Sequence, residues 1–382
     1  MSPREFTRRE ILRAGLGIPA AALPFVAGCS AGGTPARKAG SPSTSSSASA
    51  PASTSTVARA PGTVTLAFAG DTHFVDLWDT EGGASYAGVP TLAAQVRADP
   101  EHLLAPVAPV FARADLTMVN LETAVTDGGT PAEGKAYHFR SPPSSFQALK
   151  AAGVDVVGMA NNHALDYGPV GMADTFDAIA ASGLPVLGLG HDATEAFRPH
   201  VTTVRGQRIA IFAATDWLEP ALVEAWTATD SRPGLAFCID PSRLLTAVGS
   251  VRPDVDTVVV FLHWGIETTH CASPGQEDLA HALIGAGADV IVGSHAHRVF
   301  GAGHVGDALV AYGLGNFVYF REDGESGSSG ILLVTVTGRH VDSYEWIPAR
   351  IVHGIPRPET GSAAASDEAM WADRRNCSGL SA

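Results

Sequence analysis

Seven side chains of the kind that bind divalent cations recur along this sequence, each at or just beyond a short apolar run: Asp71 and His73, Glu122, Asn162, His263, and His295 with His297. Taken singly, a histidine in such a place is more often a hydrogen-bonded structural residue than a ligand. The set changes the odds. Imidazoles, carboxylates and an amide oxygen without thiolate suit a borderline or hard divalent metal such as Mn, Fe or Zn. Seven donors exceed what one ion needs, and two ions sharing a carboxylate is the economical reading. Around them stand further polar candidates. Asp166, three residues after His163, either orients that imidazole or caps the following helix. Glu267 stands in the same relation to His263, or is a surface charge. Arg140 and Asn316 are candidate substrate contacts: an arginine can clamp a phosphate or carboxylate, although a solvent-facing Arg140 and an Asn316 that only satisfies its Gly-rich turn are the plainer readings. Trp264 reads as core or pocket wall.

The apolar runs are the elements that must position these groups. Residues 64–69, 116–119, 154–160, 258–262 and 290–293 are short, β-rich and alternate with helical patterns, which predicts an α/β domain with buried strands. In open α/β sheets, ligands bind outside the carboxyl ends of the strands, where the loops converge. Five strand ends can therefore form one site. Helices are expected at 144–152, 169–181 and 276–287, the last as a crossover between the strand ending at His263 and the strand before His295. Further strands are expected at 208–213, 309–312, 331–336 and 344–347. A single domain is expected over 62–350, and residues 351–382 lose periodicity and are expected to form a loose tail.

The 382-residue chain is 45% hydrophobic and 17% charged, enough to bury a large core. Lys and Arg total 25 against 39 Asp and Glu. Such an acidic balance argues against nucleic acid or an anionic membrane surface as partner. The N-terminus departs from the rest. Arg4, Arg8, Arg9 and Arg13 precede an apolar run from Ala14 to Ala27, the layout of a secretory signal. The Arg8-Arg9 pair resembles a twin-arginine export signal, and Val26-Ala27-Gly28-Cys29 resembles a lipobox that would place a lipid on Cys29. Residues 30–61, rich in Ser, Thr, Ala, Pro and Gly, read as a flexible tether. The expected location is the outer face of the cytoplasmic membrane. No CxxC pattern supports a thiolate zinc site. Cys238 with Cys271 is the expected disulfide, leaving Cys377 unpaired in the tail.

Six ordered segments carry a family resemblance: Gly70-Asp71, Asn120-Leu121-Glu122, residues 160–168 around Asn161-Asn162-His163, His263-Trp264-Gly265 with Glu267, residues 287–297 ending in His295-Ala296-His297, and Tyr312-Gly313-Leu314-Gly315-Asn316-Phe317. Together they are similar to the CapA (PgsA-like) family of poly-γ-glutamate capsule synthesis proteins, over about residues 62–335. The resemblance implies a calcineurin-like metallophosphoesterase fold: a two-sheet sandwich flanked by helices, α/β/β/α. It also implies one metal position at Asp71, His73 and His297, another at Asn162, His263 and His295, a bridging Glu122, and contact of His163 with the attacked group. Three features depart from the phosphoesterase or family patterns. Glu122 stands where phosphoesterases place Asp, Ala296 replaces the usual Pro, and Asp71-x-His73 is closer to phosphoesterases than to many CapA relatives. The implied function is a metal-dependent hydrolase of an anionic polymer or phosphorylated substrate, in which metal-activated water attacks a phosphoryl or acyl centre while His163 stabilises charge or protonates the leaving group. The alternatives are a metal-stabilised scaffold that assists a membrane polymer synthase or exporter, and a general metallophosphoesterase.

Overall fold

A computed structural model describes residues 62–77 and 86–382. The signal, lipobox and tether readings lie outside the described residues. Two large sheets dominate. The first has eight strands, with β18-β17-β16-β1-β2-β5-β6 in that order and β15 paired to β1. Its strands are β1 (Val64–Thr72), β2 (Leu116–Leu121), β5 (Val156–Gly158), β6 (Val186–Leu187), β15 (Asn316–Val318), β16 (Ser328–Thr337), β17 (His340–Val352) and β18 (Ile355–Pro358). The second has the order β13-β14-β12-β11-β9-β8, from β8 (His200–Val204), β9 (Gln207–Thr215), β11 (Thr257–Trp264), β12 (Val290–His295), β13 (Ala302–Val305) and β14 (Ala308–Ala311). Two short pairs, β3 (Ala124–Val125) with β4 (Arg140–Ser141) and β7 (Leu189–Gly190) with β10 (Gly234–Leu235), brace loops.

The layering follows from the two-residue period of a strand, which sends successive side chains to opposite faces. In β1, Leu66 and Phe68 point into a core shared with the second sheet, while Ala67 and Ala69 point to a core under helices. The second sheet does the same: Ile209, Ile211, Val259 and Phe261 face the first sheet, and Ala210, Phe212, Val258, Val260 and Leu262 face the outer helices. Phe146 and Leu149 of helix Ser144–Ala152 cover one outer face; Leu244 and Val248 of helix Ser242–Val251, with Leu279 and Leu283 of helix Pro274–Ala286, cover the other. The result is the four-layer α/β/β/α sandwich. Burying each such Val, Leu or Phe stabilises it by roughly 1.5–3 kcal/mol relative to exposure.

Parallel pairing of β1 with β2, β2 with β5, and β11 with both β9 and β12 aims their carboxyl ends at one edge of the sandwich. Helix Pro274–Ala286 is the crossover between β11 and β12, and starts two residues earlier than the periodicity predicts. The cause is a capping box: Ser273 accepts from the Gln276 amide, and the Gln276 side chain accepts from the Ser273 amide.

The C-terminal region corrects two expectations. Residues 351–382 do not form a loose tail. After β18, helix Gly361–Cys377 buries Trp371 against Trp346 of β17, with ring centroids 5.9 Å apart and planes 5° from parallel. That docking brings Cys377 to Cys271, and these two form the disulfide. The expected Cys238–Cys271 bridge is absent; Cys238 is buried in the core beneath the second sheet.

Candidate metal centre

Asp71 sits at the end of β1, fully buried, where the pairing to β2 shifts register between Ala69 and Asp71. Gly70 makes this possible. A Cβ there would lie 1.9 Å from the Gly315 carbonyl oxygen, on the turn leading into β15. Asp71 is held on all sides: Asn120 Nδ2 donates to Oδ1 at 2.8 Å, the His295 amide donates to Oδ2 at 3.0 Å, and His297 Nδ1 is 3.3 Å from Oδ2. From the second sheet, β11 delivers His263 and β12 delivers His295. Gly293 permits close packing of these strands, since its missing Cβ leaves room for Trp264 Nε1 to donate to the Tyr312 carbonyl at 2.9 Å. His295 and His297 have positive φ, 91° and 54°. A non-glycine residue in that region costs on the order of 1–3 kcal/mol and persists where its surroundings over-determine it. For His295 the surroundings include the Asp71 carboxylate that receives its amide.

Two groups of potential ligand atoms form at this edge, Glu122 with His263 and His295, and Asp71 with Glu122 and His297; within each group the atoms lie inside 4.8 Å of one another. Glu122 belongs to both. Its Oε1 is 3.5 Å from His263 Nε2 and 4.0 Å from His297 Nε2. Asn162 joins the first group, its Oδ1 being 2.8 Å from His263 Nε2. His73 stands outside both groups, between Phe139, Tyr319 and Phe320, with ring centroids 4.3–5.1 Å away.

The polar atoms of this cluster are incompletely paired. Both Glu122 oxygens, both His73 ring nitrogens and His295 Nδ1 are buried with no hydrogen-bond partner. Leaving such groups unpaired costs about 1–3 kcal/mol each, and more when they are charged. Electrostatics reflect the crowding. Burial pulls His73 and His295 well below the ordinary imidazole value, and His263 down to about 3. Burial, and after it the Asp71 charge, pushes Glu122 well above the carboxylate range. Burial also disfavours charge on His297, but Glu122 and Asp71 outweigh it and push the group up to about 10. Asp71, raised by burial alone, is brought below the ordinary range by His297 and His263. Both shifts, Glu122 upward and His297 upward, mark buried negative charge that a divalent cation would balance more fully. A cation fits this donor set.

Residues 65–320 match the family described as bacterial capsule synthesis protein PGA_cap. The chain belongs to that family. It is 32% identical over 232 residues to the capsule biosynthesis protein CapA of Bacillus anthracis, covering 60% of this chain and 55% of that protein. It is 30% identical over 254 residues to the PGA biosynthesis protein CapA of Bacillus subtilis, 66% of each chain. A probable polyglutamine synthesis accessory protein of Mycobacterium tuberculosis is 30% identical over 259 residues, 62% of this chain and 66% of that one. The chain therefore spans between about half and two thirds of these relatives' length. Among solved structures, a hypothetical protein from Thermus thermophilus aligns with TM-score 0.46 at 16% identity, over 75% of this chain and 99% of that one. A 5'-nucleotidase from Candida albicans aligns with TM-score 0.44 at 10% identity, over 82% and 58%. At these scores the structural likenesses carry no argument about the site.

The remaining family-motif residues surround the cluster. His163 follows Asn162, is buried, stacks on Phe139 at 3.9 Å between centroids, and holds Nδ1 2.5 Å from Asp166 Oδ2. Burial lowers its pKa, against the pull of Asp166. Asp166 orients the imidazole, and is not a helix cap: the helix Gly168–Ser182 has Tyr167 at its N-cap. Asn316 lines the opening and is held by the protein: Oδ1 accepts from His297 Nδ1 at 2.9 Å and Nδ2 donates to the Ser326 carbonyl at 2.9 Å. It fixes the His297 tautomer and leaves Nε2 toward Glu122. Arg140 is exposed and lies over the Tyr167 ring at 4.9 Å, away from the opening above the site. That opening, about 190 Å³, is lined by Tyr137, Phe139, His163, Glu267, Arg298 and Tyr319 among others. Glu267 is exposed and faces His297 more than His263. Sequence reasoning left Asn120 and Asn161 without a role. Asn120 sits between Asp71 and His263, 3.1 Å from His263 Nδ1, and Asn161 donates to Asn120 Oδ1 at 3.2 Å and accepts from the His163 amide at 3.1 Å. Their signal was their place beside the recognised ligands in the two Asn-containing motifs.

Proposed function

We propose that this capsule-synthesis family member is a metal-dependent hydrolase acting on an anionic polymer or phosphorylated substrate in the cell envelope. The observation that carries the reading is Glu122, a buried carboxylate shared by two ligand groups, with neither oxygen hydrogen-bonded. Glu122, His263, His295 and Asn162 would hold one cation; Asp71, Glu122 and His297 would hold the other. When bound, the pair supplies Lewis acidity toward water and toward the attacked phosphoryl or acyl centre. The chain's own residues do the rest. Asp166 holds the His163 ring so that Nε2 is the nitrogen available to the opening, where it can stabilise charge or give a proton to the leaving group. Asn120 and Asn316 set the ring orientations of His263 and His297. Phe139 and Tyr319 wall the opening and limit the water around the reacting centre.

Residues 1–29 support export through a twin-arginine signal and anchoring through Cys29. Among the described residues no helix is long and apolar enough to cross a membrane. Loss of export when Arg8 and Arg9 become Lys, and release from membranes by Cys29→Ala, would bear this out. For the chemistry, the full chain should be assayed with Mn or Zn against phosphodiesters, phosphomonoesters and poly-γ-glutamate. Metal-dependent turnover that falls by about 100-fold or more in His163→Ala, with residual activity left to measure, and is abolished by Glu122→Ala is the expected result. No turnover on any of them by a metal-loaded protein would overturn the reading.

A further inference from the structure

Lys135 is a buried lysine that no motif marks. Its side chain is 1% exposed, and Nζ lies 2.7 Å from Asp166 Oδ1 and 3.0 Å from Glu219 Oε1, with a hydrogen bond to the Asn162 carbonyl and the Trp226 ring 5.0 Å away. Resting on the hydrolase reading for His163, we infer that Lys135 is a positioning residue: it pins Asp166, and through it the His163 imidazole. Removing an ammonium from water costs several kcal/mol unless its partners are well placed. Tethering the segment 127–139 does not require that expense. The Ala132 amide already donates to the Asp166 carbonyl at 2.8 Å, the Phe139 amide donates to Asp166 Oδ2 at 2.6 Å, and Thr126 and Ala124 pair with the β4 region. What Lys135 provides is the opposite charge beside Oδ1, 2.7 Å away, an oxygen that is buried and accepts no hydrogen bond. Asp166 Oδ2 is taken by His163 and Phe139, so without Lys135 the Oδ1 charge is buried uncompensated, and the carboxylate is driven to protonate or to turn from the imidazole. The same ammonium donates to the backbone carbonyl of Asn162, which anchors Lys135 beside Asp166. Glu219, from the loop after β9, closes the arrangement from the second sheet.

The test uses the full chain and the variants Lys135→Met, Lys135→Arg and Lys135→Met/Glu219→Gln, the last removing an opposed charge so that the fold survives the loss of the lysine. With the phosphodiester that the wild type turns over best, Lys135→Met should lower kcat by about 10–100-fold, the range typical of partners that orient an active group. KM and metal content should stay within about twofold, and Lys135→Arg should restore part of the loss. In a His163→Ala background Lys135→Met should cost nothing more, because both act through one imidazole. An unchanged kcat in folded protein, or an equal loss in the His163→Ala background, would overturn the inference. If the wild type hydrolyses nothing, the hydrolase reading fails while the positioning is still testable: the His163 Nδ1 proton resonance, assigned by its loss in His163→Ala, should shift in Lys135→Met, and an unmoved resonance would rule the inference out.

Discussion

The residue that most exposes the state of the metal centre is His297. Its pKa is raised from 6.5 to about 10, with Glu122 and Asp71 outweighing its burial. For a group raised on folding, the stabilising charge is fully present below its unfolded value and is lost as pH climbs through its folded value. In metal-free protein, then, this contribution holds below about pH 6.5 and fades toward about pH 10. A cation must displace that proton, so metal uptake near about pH 7.5 should release protons and tighten as pH rises. Calorimetry in two buffers of different ionisation heat measures this release; a value near zero would contradict the arrangement, and His297→Asn should diminish it. The ligand types were legible in the sequence because carboxylate and imidazole chemistry is carried by residue identity and by position after apolar runs. Lys135 was not, because it lies in an irregular polar stretch and owes its burial to Glu219 and Trp226, far along the chain. Asn316 was visible, but its two partners, His297 and the Ser326 carbonyl, come together only through the pairing of β15 with β1.

At the scale of elements, the short apolar runs of β1 and β11 were enough to indicate buried strands, and the polar residues after them, Asp71 and His263, are among those the structure gathers at one edge. Boundaries shifted where tertiary pairing extends or shortens a strand: β1 runs to Thr72 because β2 and β15 continue beside it, whereas β5 stops at Gly158. Helix Gly361–Cys377 escaped sequence reasoning for a physical reason. Trp371 is its only buried residue, so it has no apolar stripe to detect. Its docking is nonetheless specific: the helix also passes Arg374 to the Val299 carbonyl and Arg375 to the Ala302 carbonyl. Trp371→Ala is therefore expected to destabilise the protein by about 3–5 kcal/mol, as for other buried aromatics. A chemical-denaturation midpoint unchanged by the substitution would mean that the C-terminal segment does not pack as described.

At the scale of the whole molecule, the Cys271–Cys377 bridge closes a segment of 106 residues and joins the loop after β11 to the C-terminal helix. Disulfides typically stabilise by about 2–4 kcal/mol. Cys377→Ser should lower the melting temperature measurably under oxidising conditions and have no further effect once wild type is reduced; equal melting of both oxidised proteins would deny the bridge its role. The pairing was misjudged from sequence because cysteine spacing says nothing about which segments a fold brings together. Above all, the two sheets meet so that one edge collects Asp71, Glu122, Asn162, His263, His295 and His297 around unpaired buried atoms. The most direct test is a crystal of the protein reconstituted with Mn or Zn, with anomalous scattering collected at the metal edge. Two peaks about 3.5 Å apart, flanking the Glu122 carboxylate and within coordination distance of His263, His295 and His297, are expected, and His295→Ala should lose at least one. Reconstituted crystals with no anomalous peak at this edge of the sandwich would contradict the metal centre outright.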